Sequence, residues 1–194
     1  MPNHVDNELL VTGPSEDLLR FMEFAKGPAG TLGNDPGEDL LSAHKFVPMP
    51  QEYREGPRCV ECNYTQPSEP ELGLDQRLGG PCPICGKYMK DGFNRGGWEW
   101  CIEHWGTKWG LYDARLEDQD TYDDPEEGGF LNYFFQTAWA PPTPVIQAMA
   151  TKFPTLAFDL GYWEGGMGFQ GKLVMEGGVE ASEWSGPYHG SRGG

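Results

Sequence analysis

The sequence predicts an α+β fold: an antiparallel or mixed sheet with helices packed on one face, interrupted near its middle by a small zinc-ribbon-like module. Three observations carry this. Helical and strand periodicities alternate along the chain, and the last strands come in adjacent pairs. Two C-x-x-C pairs, Cys59-Val-Glu-Cys62 and Cys82-Pro-Ile-Cys85, stand nineteen residues apart in a central segment poor in apolar residues. A chain of 194 residues with 38% hydrophobic residues, seven Trp among them, can build one ordinary core beside a small insert.

The elements follow in order. Glu8 to Thr12 is a short apolar run closed by Gly13-Pro14 and reads as a strand. Ser15 suits a helix N-cap, Glu16 and Asp17 complement the helix dipole, and Leu18, Leu19, Phe21, Met22 and Ala25 form a helical stripe. Gly27-Pro28 stops that helix, a loop follows from Ala29 to Asp39, and Leu40 to Val47 reads as a second strand. After the cysteine segment, Trp98, Cys101, Ile102 and Trp105 share one helical face, with Gly106 as the cap. Thr107 to Leu116 alternates as a strand, Glu117 to Glu127 is an acidic loop with seven carboxylates, and Phe130 to Trp139 is an aromatic strand. Thr143 and Pro144 open a helix with Val145, Ile146, Met149 and Phe153 on its buried side. Leu156 to Trp163 and Met167 to Met175 form a hairpin, and the Gly/Ser-rich tail from Gly177 reads as loosely ordered. This order fits a ferredoxin-like arrangement with the metal module inserted after the second strand. The expected divisions are a discontinuous domain over 1–50 and 98–176, an insert over 51–97, and a flexible tail over 177–194.

The spacing of Cys59, Cys62, Cys82 and Cys85 suits a tetrahedral four-thiolate site for zinc, or for iron in a rubredoxin-like setting. With all four positions filled by cysteine, no corner is left for water or substrate, so the expected role of Zn2+ is structural. Metal binding of this kind is worth on the order of 10–16 kcal/mol, enough to hold a segment with a thin core. Nothing in Met1 to Asp6 resembles a secretory leader, which argues against disulfides.

Charge narrows the partners. The net charge is −16, yet between 51 and 97 six Lys/Arg face seven Asp/Glu, so almost all the excess lies outside the insert. Direct binding to nucleic acid is disfavoured, because phosphate contacts need an excess of Lys/Arg. A basic protein surface is favoured. No apolar run is long enough to span a bilayer.

Other chemistry is sparse. Cys101 and His104 on one short helix could meet as a nucleophile and base, but Cys101 reads better as a core residue beside Trp98 and Trp105. Glu103, His104, Lys108 and Trp109 are the expected ligand or partner surface, together with Asp118, Asp120, Asp123 and Asp124 of the acidic loop. That loop lacks the glycine and terminal Glu of an EF-hand. Trp105, Lys108, Trp109 and Tyr112 could form an aromatic recess.

Several blocks carry a resemblance: Pro2-Asn-His-Val-Asp-Asn7 with Leu10-Val-Thr-Gly13, Phe46-Val-Pro-Met-Pro50, Trp100-Cys-Ile-Glu-His-Trp-Gly-Thr-Lys-Trp109, Thr137-Ala-Trp-Ala-Pro-Pro142 and Gly166-Met-Gly-Phe169. With these the chain resembles a family of bacteriophage- and plasmid-encoded proteins that have a ferredoxin-like domain and no established molecular function. The cysteine insert departs from many members of that family. The resemblance implies a virus-linked protein in a bacterial cytoplasm and supplies no catalytic residues. The expected function is a non-enzymatic accessory protein that binds a host or defence protein through an acidic aromatic surface. The alternative is a ligand-binding domain or enzyme with its site near Trp100–Trp109.

Overall fold

The computed structural model describes residues 3–29, 35–65, 80–121 and 128–190. Strand β1 (His4–Pro14) leads into helix α1 (Ser15–Ala25), followed by a small ladder of β2 (Gly27–Ala29) and β3 (Asp35–Asp39). Two single-turn helices, α2 (Ala43–Phe46) and α3 (Gln51–Arg54), precede the cysteine segment, whose short strands are β4 (Arg58–Cys59) and β5 (Met89–Lys90). A 3-10 turn at Phe93–Arg95 leads into α4 (Gly97–Trp105). The chain then runs through β6 (Tyr112–Asp120), β7 (Gly128–Ala138), α5 (Thr143–Lys152), β8 (Ala157–Glu164), β9 (Phe169–Glu176) and β10 (Val179–Pro187).

The large sheet has the order β10-β9-β8-β1-β7-β6, and every neighbouring pair is antiparallel. Four of its strands, β8-β1-β7-β6 running to one edge, with α1 after β1 and α5 between β7 and β8, form the ferredoxin-like arrangement. The second strand of that arrangement is β6. The run from Leu40 to Val47, expected as a strand, instead holds helix α2. The cysteine segment therefore falls inside the first crossover, after α1 and before β6. A short apolar run is compatible with either helix or strand, and packing decides which forms.

Strand alternation decides the core. In β1, Val5, Asn7, Leu9 and Val11 are buried; in β7, Leu131, Tyr133, Phe135 and Thr137; in β8, Phe158, Leu160, Tyr162 and Glu164. These residues share one face, because successive side chains on a strand point to opposite sides. Leu18, Phe21 and Ala25 of α1, Cys101 and Trp105 of α4, and Val145, Ile146 and Met149 of α5 join the same hydrophobic cluster. Phe21 sits at its centre, with ring contacts to Phe46, Tyr133, Phe153 and Phe158. Each such side chain contributes about 1.5–3 kcal/mol by leaving water. Polar residues are built into this core as well, Asn7 and Thr137 among them. The amide of Asn7 donates from Nδ2 to the Val5 carbonyl at 2.9 Å and to Thr137 Oγ1 at 3.0 Å, tying β1 to β7.

Two further expectations change. The tail from Gly177 holds an edge strand, because Val179–Pro187 pairs with β9. On α4 the buried residues are Gly97, Cys101 and Trp105, whereas Trp98 and Ile102 are exposed. The helix is rotated from the expected stripe. Trp105 fixes that rotation by donating its indole N–H to the Val47 carbonyl at 2.8 Å. None of the described helices is long and apolar enough to cross a membrane.

Candidate metal centre and surrounding surfaces

The two C-x-x-C turns face each other. All four sulfurs, of Cys59, Cys62, Cys82 and Cys85, lie within 4.8 Å of one another. Three separations are short: Cys59 to Cys85 is 3.4 Å, Cys62 to Cys82 is 3.6 Å and Cys62 to Cys85 is 3.6 Å. A tetrahedron of sulfurs at the usual zinc–thiolate distance has edges of about 3.8 Å. All four thiols are free of disulfides, and together they could hold one metal ion. Backbone N–H groups already aim at the sulfurs: Cys62 N–H donates to Cys59 Sγ at 3.5 Å, and Ile84 N–H to Cys82 Sγ at 3.4 Å. Gly86, at φ 69, lets the second turn reverse and donate its N–H to the Cys82 carbonyl.

The thiols do not ionise alike. The Cys62 backbone N–H and that of Glu61 draw the Cys59 thiol down to about 6. Cys85 goes the other way, to about 12: the Lys87 backbone N–H favours its thiolate, but hydrogen bonding to Cys59 and burial outweigh it. Four crowded thiolates repel one another, so a dication is what allows all four to be charged together. Among the described residues of the segment, the buried cluster is Cys59, Cys82 and Met89 with Tyr64 against them.

Beside the cysteines runs an open groove of about 520 Å³. Val60 of the first knuckle and Lys90 of β5 form one wall; Glu99, Trp100 and Glu103 of α4 form the other; Tyr53 of α3 lies between. Tyr53 is seated by glycines. A Cβ on Gly92 would come within 2.5 Å of the Glu52 carbonyl oxygen, and one on Gly96 would come within 3.1 Å of the Tyr53 ring.

The expected surface residues disperse. Glu103 lines the groove, but His104 and Lys108 do not. His104 stacks on Trp100 at 4.5 Å between ring centroids, and its Nδ1 lies 3.0 Å from the Trp100 carbonyl. Lys108 places its ammonium 4.8 Å from the Trp109 ring and 4.3 Å from the Trp139 ring. Trp105 is fully buried and so takes no part in the aromatic recess expected with Lys108, Trp109 and Tyr112. Cys101 is also fully buried, and burial pushes its thiol up to about 12, so it is no ionised nucleophile for His104 at neutral pH. Asp118 and Asp120 belong to β6 rather than to a loop. Asp123 and Asp124 lie outside the described residues.

The side of the large sheet opposite the core carries a surface that the residue-by-residue reading missed. Register puts Asp6, Glu8 and Leu10 of β1 on this side, with Gln136, Phe134 and Asn132 of β7 and Trp163 and Asp159 of β8. Asp118 and Asp120 join them, opposite Asn132 and Phe130. Gln136 donates to the Asp6 carboxylate at 2.9 Å and Asn132 to the Glu8 carboxylate at 3.1 Å. Phe134 and Trp163 lie 6.3 Å apart beside them. The cations of this face are engaged: Lys172 pairs with Asp159 at 2.8 Å, and Arg115 pairs with Glu117 at 2.7 Å while covering Phe134. The alternation of Asp6, Glu8 and Leu10 with Val5, Asn7, Leu9 and Val11 was the signal that could have found this surface.

Residues 112–190 match the family model described as a ferredoxin-like domain in Api92-like protein, a span running from β6 to just beyond β10. No curated protein matches the chain. Among solved structures, the crystal structure of a protein api92 from Yersinia pseudotuberculosis is similar over 98% of this chain and 99% of that chain, with 10% identity and a TM-score of 0.47.

Proposed function

We propose that this chain is a non-enzymatic accessory protein that binds a basic protein partner through the acidic aromatic face of its large sheet, with a structural Zn2+ holding the cysteine module. One observation carries the binding reading. Asp6 and Glu8 stand next to Phe134 and Trp163, and each carboxylate is oriented by an amide side chain from β7. Fixed carboxylates beside half-buried rings suit the arginine or lysine side chains of a partner, because the rings add cation–π attraction and the charges are oriented in advance. Among the described residues, Lys172 and Arg115 of the same face are already paired, so its outward charge is negative, in keeping with the net charge of −16. The resemblance to bacteriophage- and plasmid-encoded proteins supports a partner from the bacterial cytoplasm, a host or defence protein. Nothing in the charge pattern favours nucleic acid.

Four thiolates with no open corner make a closed tetrahedral site, the arrangement of structural zinc, so the ion is read as structural rather than catalytic. Affinity capture from a bacterial lysate tests the binding reading, with wild-type protein and an Asp6→Asn/Glu8→Gln variant side by side at low and high salt. One protein retained by the wild type at low salt, and lost both at high salt and with the variant, is the expected result. Identical proteins retained by both forms would discard this face as the binding surface.

A further inference from the structure

The groove between the cysteine module and α4 is separate from the sheet face and has its own chemistry. The side chains of Lys90, Glu99 and Glu103 line it, and among the described residues none of the three makes a hydrogen bond or ion pair. Charges of both signs thus face one cavity without neutralising each other. Arg95, which also lines the groove, is committed elsewhere: its guanidinium donates to the carbonyls of Asp91 and Glu52 and pairs with Glu55 at 3.7 Å. The cationic wall therefore offers Lys90, and the anionic wall offers two carboxylates one helical turn apart on α4. The rings of Tyr53 and Trp100 also line the groove, and Trp100 is itself backed by His104 at an interplanar angle of 8°.

We infer that this groove binds a small zwitterion of the amino-acid or dipeptide class, with the ligand carboxylate on Lys90, its ammonium between Glu99 and Glu103, and an apolar or aromatic side chain on Tyr53 and Trp100. A volume of about 520 Å³ accommodates a dipeptide. Two of the wall residues, Val60 and Lys90, belong to the segment organised by the four cysteines: Val60 lies inside the first C-x-x-C turn, and Lys90 pairs with Arg58 next to Cys59. Binding therefore depends on metal at the cysteines, because without it one wall of the groove has no fixed position. The metal holds the site together and does not touch the ligand.

The test uses the full chain loaded with zinc and the dipeptide Gly-Phe, followed by calorimetry and by NMR of the Trp100 indole N–H. Gly-Phe is compared with its N-acetyl form and its C-terminal amide. Each capped form should bind about tenfold more weakly than the zwitterion, the effect of losing one charge-assisted hydrogen bond. Lys90→Gln should bind the amide and the acid equally, while Glu103→Gln should reduce discrimination against the acetyl form. Both positions are exposed, so these variants should keep the fold. Removing zinc with a chelator should abolish the Trp100 shift while leaving the Trp105 indole signal in place. Equal affinity of the wild type for all three forms, no response at Trp100 at millimolar Gly-Phe, or unchanged binding after chelation would overturn the proposal. The sheet-face reading is untouched by any of these outcomes, since Asp6, Glu8 and Trp163 take no part in them.

Discussion

The large sheet and the cysteine module are held together by different physics. The sheet buries a continuous cluster that runs from Val5 to Met175 and gathers side chains from α1, α4 and α5. The module buries Cys59, Cys82 and Met89, with Tyr64 packed against them, and has a two-residue ladder joining β4 to β5. Among the described residues, apolar burial of that size is small against the conformational entropy of fixing them, at about 1–2 kcal/mol per residue for the backbone alone. The sheet is held by its own apolar burial, whereas the module would be held by the metal proposed for its four sulfurs. One chain can therefore present a rigid sheet face and a groove wall whose order is conditional.

The largest effect should come from breaking the sulfur cluster. Cys59→Ser, or chelation of the metal-loaded protein, should release the metal and unfold the module while the sheet remains; metal analysis with far-UV circular dichroism reads both. Affinity should also fall as pH falls, because metal must displace protons from the thiols. Cys85, whose thiol is pushed up to about 12, makes that competition severe. A variant that keeps stoichiometric metal would remove the four-thiolate site.

On the sheet side, Phe21→Ala should destabilise by about 3–5 kcal/mol, because Phe21 is fully buried among four aromatic rings. The loss, read from urea midpoints, should be the same with and without metal. If it changes with metal, the two regions are energetically one.

Gly92→Ala probes the seam between them. Its Cβ would meet the α3 backbone at 2.5 Å from the Glu52 oxygen and 2.6 Å from the Tyr53 carbonyl carbon. A shift of α3 costing roughly 1–3 kcal/mol should follow, with broadened Tyr53 resonances as its signature. Unchanged Tyr53 signals would mean that the close approach does not seat the ring.

A smaller effect concerns alkaline pH. Burial raises the Cys101 thiol from 9.0 to about 12 in the folded state. Below pH 9 both folded and unfolded thiols are protonated. Above it the unfolded thiol ionises while the folded one cannot, so stability falls between pH 9 and 12. Cys101→Ala should flatten part of that decline in urea titrations, and an identical decline would assign it to other groups. Smallest of all is Arg20→Ala, which removes an exposed pair with Asp17 at 2.8 Å and should change stability by at most about 1 kcal/mol.

Legibility in the sequence followed the same division. The cluster of four cysteines that could hold a metal ion could be read directly, because C-x-x-C spacing is set by local turn geometry. Helices α1 and α5 and the β8–β9 hairpin could be read because each buries one side and shows its period. Strand β10 gave no such signal: Val179 to Ser185 is exposed on both sides and is held by backbone pairing to β9. Leu40 to Val47 misled because a short apolar run does not distinguish a strand from a single helical turn. The sheet face and the groove were out of reach for another reason. Glu8 meets Asn132 across 124 residues, and Lys90 faces Glu103 only once the module folds against α4. Long-range pairing leaves no local pattern.

Amide hydrogen exchange of the full chain, with metal bound and after chelation, reads the order of the two regions separately. Chelation should remove protection across 58–65 and 80–90 and leave β1, β7 and β8 protected to the same degree. Loss of protection in those strands, or retained protection around the cysteines, would contradict a molecule built from one self-sufficient region and one that depends on its metal.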